Sequence, residues 1–478
     1  MPVQSKKAII TVYLSLVLGV MLSLILTLIE GARMSAVRMQ IECVSEMGMN
    51  SAFAEFNREL LAQYDLFFID TSYGTSYADY AKTEKHIKDY MSYNYQPNKG
   101  FIENRAKDLL ALEVVGVAIE EASIATDENG GVLKRQAINY MKDKVGVDFV
   151  EQIVSQSTTL KEKELESQDI YSENKEVDNK LNNLEKEKDG EMKKVHLDSP
   201  ANEVNASKSS GILSLVIDDI GSISTQGIQC REYVSYRHCK EGAGIPEGKE
   251  LQGNGTEEIL FGEYLLEKCG DYTEQKSNSL LQYQLEYLLV GKSSDKENLS
   301  SMANKLVLVR QVANSLYLWS DGAKTAEADA AAAAIAGAVL MPEIQPVVKA
   351  SLMFAWAYAE SVGDVKILLN GGKVPMLKNS SSWRLQFKNL ANYRDELSKE
   401  SENTEGLSYR GYLRLFLLSM NRDTKINRFM DIIEMDIRKT EGNTRFQLDN
   451  CIDNILVLID NSSKFGYRYQ IKRPYCYE

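Results

Sequence analysis

Proline is scarce in this chain, with 8 among 478 residues and none between Pro2 and Pro97. Proline breaks helix interiors, so its absence removes the commonest stop signal from the N-terminal stretch. Histidine is scarcer still, at His86, His196 and His238. That leaves little material for a Ser-His-Asp or Cys-His hydrolase, and no catalytic group is assigned. Clustered basic sequence is also missing. The net charge is −13, whereas a phosphate-binding surface needs concentrated Lys and Arg, so nucleic acid is excluded as a partner. Charge of either sign is absent between Ala8 and Ile29.

What fills that uncharged stretch is mostly Leu, Ile, Val, Met and Tyr. A bilayer span needs roughly 20 apolar residues at about 1.5 Å each, so residues 8–29 predict a transmembrane helix. Within it a small or hydroxylated residue recurs every fourth position: Thr11, Ser15, Gly19, Ser23, Thr27 and then Gly31. Such a stripe lets a second helix approach closely in lipid, which suggests a homo-oligomer or another helix as partner. A secretory signal has a hydrophobic core of about 7–15 residues and an A-x-A-like cleavage site. This core is longer, and Glu30-Gly-Ala-Arg33-Met34 continues as polar helix, so an uncleaved anchor is expected. Lys6 and Lys7 precede the span, while Arg33 and Arg38 alternate with Glu30, Glu42 and Glu46. The positive-inside rule therefore places residues 1–7 in the cytoplasm and the bulk outside the cell membrane.

Beyond the span, Met34, Val37, Ile41 and Val44, then Met49, Phe53, Phe56 and Leu60, keep helical spacing. They predict a stalk over 30–63 that makes one helix of about 80 Å with the span. Residues 64–148 read as an α/β head, with strands at 64–70 and 109–125 and a turn at Asp127-Glu-Asn-Gly-Gly131. Residues 149–200 are rich in Glu, Lys, Asp and Asn. They read as a short coiled coil, through Ile170, Val177, Leu181 and Leu184, or as a solvated linker. A strand at 211–217 and a glycine-rich loop are expected within 201–256. Helical periodicity then runs through 257–460, including an alanine-rich core helix at 328–341. The aromatic alternation in 461–478 predicts a closing strand. The expected fold class is α+β, mainly helical: a long N-terminal helix, a small pilin-like sheet and a large helical insertion.

Chemical motifs are near misses. Gly291-Lys292-Ser293 ends like a phosphate-binding loop, but Glu286 stands where a glycine is needed; Gly372-Lys373 fails likewise at Ile367. Asp70-Thr71-Ser72-Tyr73-Gly74 resembles a hydroxyl-rich cation turn, but with Gly74 in place of the second serine it reads as a strand-ending turn. His238-Cys239 with Cys230 lacks the second close cysteine pair of a zinc site, so neither metal nor cofactor is expected. Six cysteines are present. Cys230 and Cys239 are the candidate disulfide, with free buried thiols as the equal alternative. Glu360 and Asp364 lie four apart on one helix face in an apolar segment. They are read as a structural acid pair closed by Arg or Lys, against the sharper reading of a cation or protonation site.

One resemblance gathers these features. Ile10-Thr-Val-Tyr-Leu-Ser-Leu-Val-Leu18 followed by Leu28-Ile-Glu30-Gly-Ala-Arg33 resembles the N-terminus of TadE/TadG-like proteins of tight-adherence (Tad) pilus systems. More specifically, it is similar to a large bacterial family of unassigned function, commonly encoded among Tad-type pilus and secretion genes. Phe261-Gly-Glu-Tyr-Leu-Leu266, Leu285-Glu-Tyr-Leu-Leu-Val-Gly-Lys292, Ala355-Trp-Ala-Tyr-Ala-Glu-Ser361, Lys373-Val-Pro375 and Tyr412-Leu-Arg-Leu-Phe-Leu-Leu418 carry the same likeness. The resemblance implies a non-enzymatic, membrane-anchored extracellular component, minor-pseudopilin-like or an assembly factor. Its partners would be the lipid bilayer, pilin-like subunits and the pilus or secretion assembly platform. The sequence departs from a prepilin-peptidase site, because Lys7 and Ala8 occupy the junction and Val12 and Tyr13 lie where the mature chain would carry an acid. The alternative is a membrane-anchored envelope enzyme or sensor with an unrecognised site.

Overall fold

The computed structural model describes residues 3–75, 77–96, 110–142, 144, 172–181, 183–188, 191–195, 197–243, 255–397 and 405–477. The described fold is mainly helical, with a long apolar N-terminal helix and small antiparallel sheets. The chain divides into two compact units: residues 1–133, 239–251 and 441–478, and residues 134–238 and 252–440.

In chain order the first elements are α1 (Val3–Phe53), α2 (Arg58–Tyr64), β1 (Ile69–Asp70), α3 (Tyr80–Asn94), β2 (Leu112–Ile124) and α4 (Asp127–Lys142). The hairpin β3 (Glu185–Lys188) and β4 (Glu191–Lys194) follows, then α5 (Ala201–Lys208), α6 (Leu213–Val216), α7 (Gly255–Lys268), α8 (Gln284–Val290), α9 (Asp295–Ser320), α10 (Gly322–Ala338) and α11 (Gln345–Leu369). The last are β5 (Lys373–Val374), α12 (Tyr393–Leu397), β6 (Leu407–Ser408), α13 (Tyr409–Ser419), α14 (Arg422–Arg438), β7 (Cys451–Ser463) and β8 (Arg468–Cys476).

The first unit is organised by α1 and a sheet. β7 is central: β2 pairs antiparallel along one side, from Leu112↔Ser463 to Ile124↔Ile452. β8 runs antiparallel along the other side, from Asn454↔Cys476 to Ser462↔Arg468, with β1 beyond it at Ile69↔Ile452. Ile455, Val457 and Ile459 of β7 point into a core with Val37, Ile41, Val44, Met49 and Phe53 of α1 and Ile87 and Met91 of α3. Gly48 allows this contact, since a Cβ there would lie 2.6 Å from Met91 Cγ.

The β2 edge of the sheet is partly occupied and the β8 edge is interrupted. On the β2 edge, Glu84 of α3 accepts a bond from the Ile119 amide at 2.8 Å, Lys88 donates to the Val115 carbonyl at 2.9 Å, and Ala122 donates to the Ala243 carbonyl at 3.1 Å. At the β7–β8 turn the Ser463 amide bonds to the Tyr467 carbonyl. Hydrogen-bonded pairs alternate from there, so Pro474, opposite Leu456, turns its missing N–H outward.

The structure corrects several boundaries. The helix expected to run unbroken over 8–63 stops at Phe53. Asn57 starts α2 instead, its side chain accepting from the amides of Glu59 and Leu60 at 3.0 and 3.2 Å. A side-chain cap of this kind competes with the helix it interrupts. The strand expected over 64–70 shrinks to β1. The apolar run at 211–217 forms α6, not a strand, because a short apolar run fits either periodicity. The helical region expected over 257–460 ends at Arg438, and β7 occupies 451–463. In the 149–200 segment, residues 172–181 are helical and are followed by the β3–β4 hairpin; residues 145–171 lie outside the described residues. The turn at 127–131 is present, with positive φ at Glu128, Asn129 and Gly130 ahead of the regular part of α4.

In the second unit, α9 packs along α11, and α10 packs on α11 through Ala328, Ala332 and Ala336, which are fully buried. Helix α7 meets α13, and α8 meets α9 and α14.

Candidate functional site

The longest exposed apolar surface is the lower half of α1. Residues 9–29 are exposed throughout, and among the described residues this is the one helix long and apolar enough to cross a membrane, with mean hydropathy 2.6. Thr11, Ser15, Gly19, Ser23, Thr27 and Gly31 all lie on this exposed part. Ser15 donates to the Val12 carbonyl at 2.9 Å and Thr27 to the Ser23 carbonyl at 2.8 Å, so these hydroxyls are satisfied within the helix and suit an apolar surround. At Gly19 and Gly31 nothing lies within 4 Å of where a Cβ would be. A row of residues four apart is inclined about 26° to the helix axis. A partner following this row would cross α1 rather than run parallel to it.

Glu360 and Asp364 are buried on α11 within a network of two cations. Lys378 Nζ lies 2.6 Å from Glu360 Oε1 and 2.7 Å from Asp364 Oδ1. Arg310 of α9 donates from Nε to Asp364 Oδ2 at 3.0 Å, and from Nη1 to the Pro375 and Met376 carbonyls and the Tyr412 hydroxyl. Glu360 also accepts from the amides of Arg384 and Leu385. Burial alone pushes the Asp364 carboxyl up, but Lys378 and then Arg310 outweigh it, and its pKa is held below the usual carboxylate value. Charge is balanced, two carboxylates against two cations, with Asp364 Oδ1 held by the ion pair to Lys378 alone. The arrangement fastens the 375–385 segment onto α9 and α11.

A second buried acid cluster gives no recognisable sequence signal. Glu286 of α8, within Leu285-Glu-Tyr-Leu-Leu-Val-Gly291, accepts from the Tyr409 hydroxyl at 2.7 Å and the Tyr272 amide at 2.9 Å. Burial first, and then the charge of Asp271, push its carboxyl up to about 8. Asp271 Oδ2 faces Arg410 Nη1 at 3.1 Å, but Arg410 also serves Glu274 and the carbonyls of Leu266 and Cys269. Arg410 thus faces Asp271 and Glu274, while Glu286 meets no cation among the described residues and its carboxyl is biased toward the protonated form. The only hint in the sequence is an acid inside an apolar helical run.

The other candidates resolve locally. The Ser72 amide bonds to Asp70 Oδ1 and the Thr71 hydroxyl to the Asn450 carbonyl, so this turn closes the end of β1. All six cysteines, Cys230 and Cys239 among them, are free thiols. The second unit also has a cleft of about 510 Å³ whose lining includes Lys194, Asn202, Asn205 and Lys208. Burial lowers the Lys208 pKa.

Compared with known proteins, residues 190–462 match a model described as a family of unknown function (DUF5702). That match takes in both buried acid clusters and most of β7, and leaves α1 outside. No curated protein and no solved structure matches the chain.

Proposed function

The chain belongs to the DUF5702 family, whose function is unknown; on the plan of its N-terminal helix and sheet we propose that it is a non-enzymatic, membrane-anchored component of a Tad-like pilus or secretion-related system. In this reading residues 8–29 span the cell membrane, the N-terminus is cytoplasmic, and both units lie outside. The chain acts as a minor-pseudopilin-like subunit or an assembly factor, with pilin-like subunits and the assembly platform as partners. One observation carries the reading: the helix whose apolar residues 9–29 are fully exposed is the same unbroken helix whose residues 37–53 enter a sheet-bearing core. Cleavage after a signal sequence would cut a helix continuous with that core, which favours a retained anchor. A long helix topped by a small sheet is also the general plan of pilin-like subunits.

Crosslinking in the native membrane followed by mass spectrometry tests this. Recovery of pilin-like subunits or platform proteins is the expected result. Their absence, with a soluble substrate-like protein captured instead, would favour an envelope enzyme. Protease protection of intact cells tests the orientation: the units should be cleaved from outside.

A further inference from the structure

The hairpin between β7 and β8 belongs to the same compact unit as α1, and β8 runs alongside that helix. The guanidinium of Arg33 sits 4.3 Å from the centre of the Phe465 ring, and that of Arg38 lies 6.0 Å from Tyr469. Farther along, Tyr475 donates to Asn50, and the Tyr477 hydroxyl donates to the Phe53 carbonyl at 2.6 Å. Strand β8 therefore ascends α1 from Arg33 to Phe53, and the hairpin tip, Lys464-Phe465-Gly466, points toward the apolar end of the helix.

The distances set the tip's depth. Residues 8–29 rise about 33 Å, matching a hydrocarbon core of about 30 Å. Arg33 is four residues past Ile29, or about 6 Å higher. Each headgroup layer is roughly 5–8 Å deep, so Arg33 and the ring stacked on it fall inside that layer. Phe465 is 48 % exposed despite the Arg33 contact, and Lys464 and Gly466 are exposed beside it. An aromatic ring beside cations suits the membrane–water boundary: the ring sits among the headgroups and Lys464 reaches lipid phosphates, while Arg33 is paired with Glu30 at 3.4 Å.

We propose that the β7–β8 hairpin tip is a second membrane contact, with Phe465 seated in the lipid headgroup layer beside α1. This rests on residues 8–29 being the span. The contact would fix the first unit against the bilayer and prevent it from swinging on a single helix.

Depth-dependent quenching by brominated lipids tests this on the full-length chain reconstituted in phosphatidylcholine–phosphatidylglycerol vesicles. Three variants, Phe465→Trp, Leu18→Trp and Tyr77→Trp, are each compared with the parent, whose Trp319, Trp356 and Trp383 supply the background. The expected result is added fluorescence from F465W quenched by shallow bromines, from L18W quenched by deep bromines, and from Y77W by neither. If F465W behaves like Y77W while L18W is quenched, the hairpin contact is wrong and the anchor stands. If L18W is not quenched, the span reading fails and the contact falls with it.

Discussion

Helices α1 and α11 are both apolar and meet opposite surroundings. The lower half of α1 exposes every large side chain and carries no charge from Ala8 to Ile29. Helix α11 buries most of its side chains and carries two carboxylates in its buried part. The difference shows what decides the fate of an apolar helix. A protein core tolerates ionised groups when it supplies the counter-charges, as Arg310 and Lys378 do for Asp364 and Glu360. A lipid-facing helix has no such supply, so it avoids charge and ties hydroxyls to its own backbone.

The sharpest way to break this comparison is to remove a cation from α11's network. Lys378→Met leaves Glu360 and Asp364 short of a charge in the core, and should destabilise the second unit by about 3–5 kcal/mol, read by chemical denaturation. Adding Glu360→Gln to that variant should recover part of the loss. An unchanged unfolding midpoint for K378M would mean that the network contributes little.

The converse is to place a charge on α1. Leu18→Arg should cost about 2.5–3.5 kcal/mol of membrane insertion, lowering the membrane-bound fraction in flotation while leaving the circular dichroism of the folded units intact.

Helix α8 is the intermediate case, a buried acid without a full complement of cations. The Glu286 carboxyl is raised from 4.5 to about 8. The folded chain therefore holds a proton that the unfolded chain releases. The resulting stability is complete below pH 4.5, falls as pH rises toward 8, and is lost above it. Glu286→Gln keeps an acceptor for Tyr409 and should flatten this decline, which amounts to a few kcal/mol at most. Denaturation across pH 5–9 reads it, and an equally steep decline in E286Q would place the proton elsewhere. The smallest effect is expected at the α1 stripe: Gly19→Leu should weaken helix association in a membrane dimerisation assay by about 1 kcal/mol, with the soluble fold unchanged.

The main helices and β8 were legible through a long periodicity, and β2 through its Val, Ile and Ala content and the turn that follows it. Strand β7 was not. Its Ile452, Ile455, Leu456, Val457, Leu458 and Ile459 form a nearly continuous apolar run, which a strand in the middle of a sheet shares with a buried helix. Ile455 and Ile459 are even four apart. Its β-branched content and the Asn461-Ser-Ser-Lys-Phe-Gly466 turn were the available signals. The spacing of Glu360 and Asp364 could be read, but their partners could not, since Arg310 comes from another helix and Lys378 from an irregular segment. Glu286 stayed hidden because its abnormal proton affinity comes from Asp271 and burial, neither of which has a local pattern.

Pro474 has a consequence for how copies of this chain can meet. Strand addition at a sheet edge needs a row of unmet amides and carbonyls. On β8 that row is interrupted by Pro474 and flanked by Arg468 and Lys472, and on β2 it is occupied by Glu84, Lys88 and Ala243. Strand-to-strand pairing through this sheet is therefore impeded at both edges.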